Sequence, residues 1–208
     1  MSVNSEHKHG GNLDWAAEIY QKDRAVLIDF SSNINPLGIP ATLKDILLQN
    51  IGQMINYPDP EYKELRGYLS EYTGISANRI IPGNGSAEII FLLFQSMKPS
   101  KVLLPAPTFS EYEKNAFYAG AEVYHLQLEE ANEFELDVER LVAEIATGMD
   151  CVILCNPNNP TSTLIKRQQL EYLVKQASQL NAMVIIDEAF IELTVGSSAN
   201  SMVESVAI

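Results

Sequence analysis

The chain has 208 residues, 46% hydrophobic and 20% charged, which is enough apolar material for a buried core. Its 14 Lys and Arg against 27 Asp and Glu give a formal net charge of −13, which opposes phosphate backbones and anionic lipid but still allows a small anion gathered by local donors. No apolar run approaches the roughly 18 residues of a membrane span, and the N-terminus lacks the apolar stretch of a signal peptide. The expectation is a soluble cytoplasmic protein with no nucleic-acid or membrane partner.

Residues 1–40 read as an extended arm, because the stretch Asp29-Phe30-Ser31-Ser32-Asn33-Ile34-Asn35-Pro36-Leu37-Gly38 is rich in turn formers. Residues 41–208 read as one α/β domain. Asp59 and Pro60 suit the N-cap and first position of a helix, Tyr62, Leu65, Leu69 and Tyr72 recur at helical spacing, and Gly74 suits its end. A second helix over 86–97 is apolar nearly all round and is expected to be buried. Short apolar runs at 101–104, 122–126, 151–155 and 183–186 then alternate with helical stretches at 110–119, 137–147 and 166–180. Continuous apolar strands alternating with helices predict a mostly parallel sheet covered on both faces. Cys151 and Cys155 lie four apart in one such strand, roughly 13 Å from each other, too far for a disulfide, and they read as inert buried thiols.

Ligands of open parallel sheets sit beyond the carboxyl ends of the strands. Four segments there, or opening a buried helix, carry candidate chemistry. Gly83-Asn84-Gly85-Ser86-Ala87-Glu88 offers backbone amides at a helix N-terminus to a phosphate, or is a plain glycine turn with a cap. It is neither a Walker loop nor a dinucleotide fingerprint. Phe109, in Pro105-Ala106-Pro107-Thr108-Phe109, is placed to stack on a planar ligand or to fill the core. Asn156-Pro157-Asn158-Asn159-Pro160-Thr161 presents amides on a stiff turn. Asp187, in Asp187-Glu188-Ala189-Phe190, could act as a base, pair with a buried cation or cap a helix, and the absence of nearby ligand spacing weighs against a metal. His7 and His9 lack a third metal ligand. The chemistry common to the four is that of a phosphorylated planar heterocycle.

The order Gly-Asn-Gly-Ser-Ala-Glu, Pro-Thr-Phe-Ser-Glu-Tyr, Asn-Pro-Asn-Asn-Pro-Thr, Asp-Glu-Ala-Phe resembles the fold-type-I pyridoxal 5′-phosphate enzymes of the class I/II aminotransferase superfamily. His9-Gly10-Gly11-Asn12, the 29–38 stretch and Tyr57-Pro58-Asp59 resemble its threonine-phosphate decarboxylase branch. The resemblance implies an enzyme that decarboxylates O-phospho-L-threonine to (R)-1-aminopropan-2-yl phosphate in cobalamin biosynthesis. The alternatives are the histidinol-phosphate aminotransferase branch, which usually carries Tyr where Phe190 stands, and a non-catalytic fragment that binds the cofactor or only dimerises. It further implies that Gly85, Ser86 and Ala87 hold the cofactor phosphate, that Phe109 stacks on its ring, that Asn159 meets the phenolic oxygen and that Asp187 pairs with the pyridine nitrogen. Tyr57 would reach the cofactor of a partner subunit in a homodimer, and His9, Gly10, Asn33 and Asn159 would contact a small phosphorylated amino-acid substrate. Two departures stand out. Ser162 replaces a family glycine, and the family's Schiff-base lysine falls later than this sequence reaches. The chain is therefore expected to be C-terminally truncated, with an incomplete large domain, no small domain and no activity of its own.

Overall fold

The computed structural model describes residues 10–194 and 198–203. The chain divides into two compact units between Asp59 and Pro60.

Within the N-terminal unit, residues 13–20 of the expected arm are helical rather than extended. The unit contains α1 (Leu13–Tyr20) and α2 (Ala41–Asn50), with single helical turns at Arg24–Val26 and Ile51–Ile55. Asn12 starts α1 by accepting the Trp15 N–H at 3.0 Å, and Leu13, Ala16, Ala17 and Tyr20 follow at helical spacing. The 29–38 stretch is organised by one carboxylate. Asp29 Oδ1 accepts the Ser31 hydroxyl at 2.6 Å and the Ser31 N–H at 2.7 Å, and its Oδ2 accepts the Ser32 hydroxyl at 3.0 Å. The Ser31 hydroxyl oxygen in turn accepts the Gly11 N–H at 2.8 Å. Gly10 lies so close to this turn that a Cβ would meet the Ser31 carbonyl oxygen at 1.7 Å, so only glycine fits there.

The second unit is a three-layer α/β/α fold. Its first helix, α3 (Lys63–Thr73), ends as expected at Gly74, with φ of 73°. It begins later than Asp59-Pro60 suggested, because Pro60 and Glu61 form a turn and Tyr62 takes a left-handed φ of 50° that is incompatible with a helix. Helix α4 (Gly85–Met97) leads through a short turn into β1 (Lys101–Ala106), followed by α5 (Glu111–Tyr118), β2 (Glu122–Gln127), α6 (Val138–Ile145), β3 (Cys151–Cys155), α7 (Arg167–Gln179), β4 (Met183–Asp187) and α8 (Asn200–Val203). The four strands pair in parallel in the order β2-β1-β3-β4.

Strand alternation divides the core. Val102, Leu104, Cys151, Ile153 and Cys155 pack under Ile90 and Phe94 of α4 and Tyr112 and Ala116 of α5. Leu103, Val152 and Leu154 pack on the other face against Leu141 and Ile145 of α6 and Leu170, Leu173 and Ala177 of α7. Covered on both sides, β3 is buried at every position, which is why its sequence reads as an unbroken apolar run. Helix α4, expected to be buried all round, is not. Ile90 and Phe94, four apart on one face, meet the sheet, whereas Phe91 and Leu92 on the other side remain 45% and 48% exposed. Among the described residues no helix is long and apolar enough to cross a membrane.

Two polar devices fix the ends of the sheet. At the amino edge, Asp150 Oδ2 accepts the Ser100 and Lys101 N–H groups, each at 2.8 Å, tying the start of β1 to the start of β3. At the carboxyl edge, Asn158 joins the loops after β1 and β3. Its Nδ2 donates to the Pro107 carbonyl at 3.0 Å and to Thr161 Oγ1 at 2.7 Å, and its Oδ1 accepts the Thr108 hydroxyl at 3.0 Å. The loop then turns through Ser162 at φ of 62°, a left-handed conformation that a side chain disfavours.

Replacing Ser162 by Gly should raise stability by about 1 kcal/mol, the relieved backbone strain exceeding the added chain entropy of glycine. Asn158→Ala should lower it by about 2 kcal/mol, because a buried carbonyl and hydroxyls lose their partners. Urea midpoints at unchanged m-values check both. In the N-terminal unit, the hydroxyl of Ser31, then its N–H, then the hydroxyl of Ser32 hold the Asp29 carboxyl below its usual range. A lowered folded value means that the stabilisation is complete above the unfolded carboxylate value and is lost as pH falls through the lowered one. The amide signals of Ser31 and Gly11 should therefore move only at acid pH, and Asp29→Asn should abolish that transition in an NMR titration.

Candidate functional site

The carboxyl edge of the sheet gathers the candidate side chains of the second unit. Asp187 is the last residue of β4 and pairs in register with Cys155, the last of β3. β4 is the outer strand of the four, and nothing among the described residues pairs beyond it. Alternation turns Asp187 to the α4/α5 side of the sheet, as it does Ile185. There the Tyr112 hydroxyl donates to Asp187 Oδ2 at 2.8 Å, and the Ala189 N–H donates to Oδ1 at 3.0 Å. The neighbouring acid goes elsewhere. Glu188 accepts the Ser198 hydroxyl and, at 2.7 Å, the Ala199 N–H, anchoring the segment that enters α8, whose Met202 joins the α6/α7 core. Two consecutive carboxylates thus serve opposite faces, one facing the crevice and one structural.

Phe109 is half-buried at the end of the loop after β1, and its ring meets Tyr112 edge to face, with centroids 5.6 Å apart and an interplanar angle of 82°. Tyr112 is fully buried, and burial first, then the Cys155 thiol and the Asp187 carboxylate, push its hydroxyl far above the usual phenol range, so it acts as a donor. Burial likewise raises both thiols, Cys151 to about 12, in keeping with inert strand cysteines. The Asn159 side chain, half-buried, has no hydrogen-bond partner among the described residues.

Helix α4 returns into β1 through three residues and packs on it, so the two run antiparallel. Its 13 residues span about 20 Å and the 6 of β1 about the same, which brings the α4 N-terminus level with the carboxyl edge. That terminus is open. Asn84 makes no side-chain capping bond, Gly85 stands at φ of 80° with nothing within 4 Å of where a Cβ would be, and Ser86 and Ala87 are exposed. Glu88 Oε2 accepts the Asn84 N–H at 2.6 Å and so shapes the turn from inside. First-turn amides without intrahelical partners, backed by the helix dipole, form an anion site.

The remaining candidates belong to the N-terminal unit. Gly10 packs on Ser31, and Asn33 and Tyr57 are exposed, Tyr57 completely. His9 lies outside the described residues. Two residues that sequence reasoning passed over prove central. Tyr112 holds Asp187, and Asn158, rather than its neighbour Asn159, carries the loop-to-loop hydrogen bonds. The helical spacing of Tyr112 from Phe109 was the available signal for the first.

The assembled donors match a phosphorylated pyridine. The α4 terminus has open amides of the kind that suit an anion, Phe109 presents a half-exposed ring, the Asn159 amide is unengaged, and each oxygen of Asp187 keeps a free lone pair. The comparisons with known proteins agree. The chain is 36% identical over 184 residues to threonine-phosphate decarboxylase of Salmonella typhimurium, covering 88% of this chain and 50% of that protein. It is 38% identical over 173 residues to histidinol-phosphate aminotransferase of Desulfitobacterium hafniense, covering 80% of this chain and 47% of that one. The solved histidinol-phosphate aminotransferase of Clostridium acetobutylicum superposes with a TM-score of 0.76 at 36% identity, over 86% of this chain and 53% of that one. The chain spans about half the length of the relatives it matches. The profile for aminotransferase class I and II matches residues 25–207, and the chain belongs to that family, whose cofactor is pyridoxal 5′-phosphate.

Proposed function

We propose that this chain carries the cofactor-binding face of a pyridoxal 5′-phosphate-dependent lyase that decarboxylates O-phospho-L-threonine. The observation that carries the cofactor reading is the Asp187 carboxylate at the end of β4, gripped at both oxygens on the side of the sheet that α4 covers. The bound cofactor supplies an electron sink for the pair left by the departing carboxylate. The side chains hold and orient it. Gly85, Ser86 and Ala87 bind its phosphate through amides and a hydroxyl, Phe109 covers the ring, Asn159 donates to the phenolic oxygen, and Asp187 stabilises a proton on the ring nitrogen. The dimer role of Tyr57 and the substrate roles of His9, Gly10, Asn33 and Asn159 are part of the same proposal.

The decarboxylase branch is favoured by the Salmonella relative and by Phe190, which is half-buried and has no hydroxyl to offer the cofactor. The aminotransferase reading keeps the support of the Desulfitobacterium relative. Protein from the whole gene distinguishes them: CO₂ release from O-phospho-L-threonine is expected, and amino transfer from histidinol phosphate to 2-oxoglutarate would overturn the assignment.

Asp187→Asn keeps an oxygen for Tyr112 but removes the charge partner of the ring nitrogen. It should leave the melting temperature nearly unchanged and lower turnover by a factor on the order of 10²–10³. Lysine placement gives a second expectation. Lys98 and Lys101 lie at the amino edge, Lys114 pairs with Glu111 at 3.0 Å, and Lys166 and Lys175 belong to the α7 side of the sheet. The 208-residue chain should therefore bind pyridoxal 5′-phosphate reversibly, and borohydride followed by mass spectrometry should find no stoichiometric phosphopyridoxyl-lysine.

A further inference from the structure

Tyr112 has an acceptor that no other described side chain serves. It is completely buried, yet its hydroxyl emerges at the carboxyl edge, 2.8 Å from Asp187 Oδ2. The other nearby polar atom is Cys155 Sγ, a weak acceptor whose own hydrogen points to the Pro157 carbonyl at 3.3 Å. The carboxylate is the stronger acceptor, so the phenol proton goes to Asp187. The same ring and that of Phe109 meet edge to face, with centroids 5.6 Å apart. One buried side chain therefore touches both the stacking ring and the acid beneath the crevice. With Oδ2 held by Tyr112 and Oδ1 by the Ala189 N–H, the plane of the Asp187 carboxylate is fixed and its remaining lone pairs keep one direction.

A carboxylate facing a pyridine nitrogen shares one proton with it, and the proton rests on the more basic partner. A hydroxyl donated to the carboxylate favours its charged form and so leaves the proton on nitrogen. Removing that hydroxyl withdraws one hydrogen bond from the charged carboxylate and so weakens the ion pair. We propose that Tyr112 is a positioning residue that fixes Asp187 and Phe109 as one unit and keeps the ring nitrogen of the bound cofactor protonated. The inference rests on the cofactor reading above and adds to it the residue that sets the charge state.

The test uses the 208-residue chain loaded with pyridoxamine 5′-phosphate, which needs no lysine for binding, labelled with nitrogen-15 in the ring. At neutral pH the wild-type complex should give the nitrogen shift of a pyridinium. Tyr112→Phe keeps the ring and its contact with Phe109 and removes only the hydroxyl. Its bound cofactor should lose the pyridinium shift at a pH about one unit lower than wild type, and affinity measured by fluorescence should fall about tenfold, as for one hydrogen bond to a charged group. Tyr112→3,5-difluorotyrosine, nearly isosteric and a stronger donor, should raise that pH midpoint and keeps the test available should the Phe variant fail to fold. An unchanged pH midpoint in a folded Phe or difluorotyrosine variant that still binds overturns the role of Tyr112 alone. A wild-type chain that does not bind pyridoxamine 5′-phosphate, or binds it with an unprotonated ring, overturns the cofactor reading and this inference with it.

Discussion

The crevice groups of the second unit stand at the ends of strands whose bodies are apolar. β3 is buried along its whole length between two helical layers, so its only way to contribute chemistry is to end. Where it ends, the chain passes at once into Asn156, Pro157 and Asn158, and the adjacent strand ends in Asp187. The same burial sets the terms for Tyr112. A phenol inside the α4/α5 core must place its hydroxyl on an acceptor or lose the cost of desolvating it, and the acceptor within reach is the acid at the strand end. Packing thus determines where the reactive groups stand before any ligand arrives.

The phosphate site proposed at the α4 terminus rests on backbone donors. The α4 terminus offers amide N–H groups whose partial charges come from the helix itself, and Glu88 engages the Asn84 N–H from the inner side of the turn. Neutral donors of this kind are fixed in direction and little affected by the −13 net charge of the chain. Lys114 pairs with Glu111, and Lys98 and Lys166 cap helices.

The strands were legible because each is continuous, apolar and bounded by turn residues, and their observed limits differ from the expected ones by at most two residues. The α5, α6 and α7 helices were legible for the same reason, through one apolar stripe each. Helix α1 was missed because its short apolar stripe is flanked by turn formers that outweighed the cap at Asn12. The start of α3 was misplaced because the left-handed φ of Tyr62 leaves no mark in residue type. The exposure of Phe91 and Leu92 was unreadable because hydropathy reports what a helix could bury, not whether a layer covers it. At the site, residue types named Asp187, Phe109 and the α4 turn, while the partnership of Tyr112 and the bridging by Asn158 depend on long-range proximity that only the fold supplies.

The double hydrogen bond from Asp150 to the start of β1 lies at the edge of the sheet remote from the crevice. The register of the two strands is therefore fixed at one end, while the loops that meet a ligand are cross-linked separately at the other, through Asn158. Substitutions in the crevice loops can accumulate without disturbing strand registration. A scaffold built this way is free to diverge in reaction and substrate while its frame persists, which gives a structural reason for one architecture to serve both decarboxylating and amino-transferring descendants.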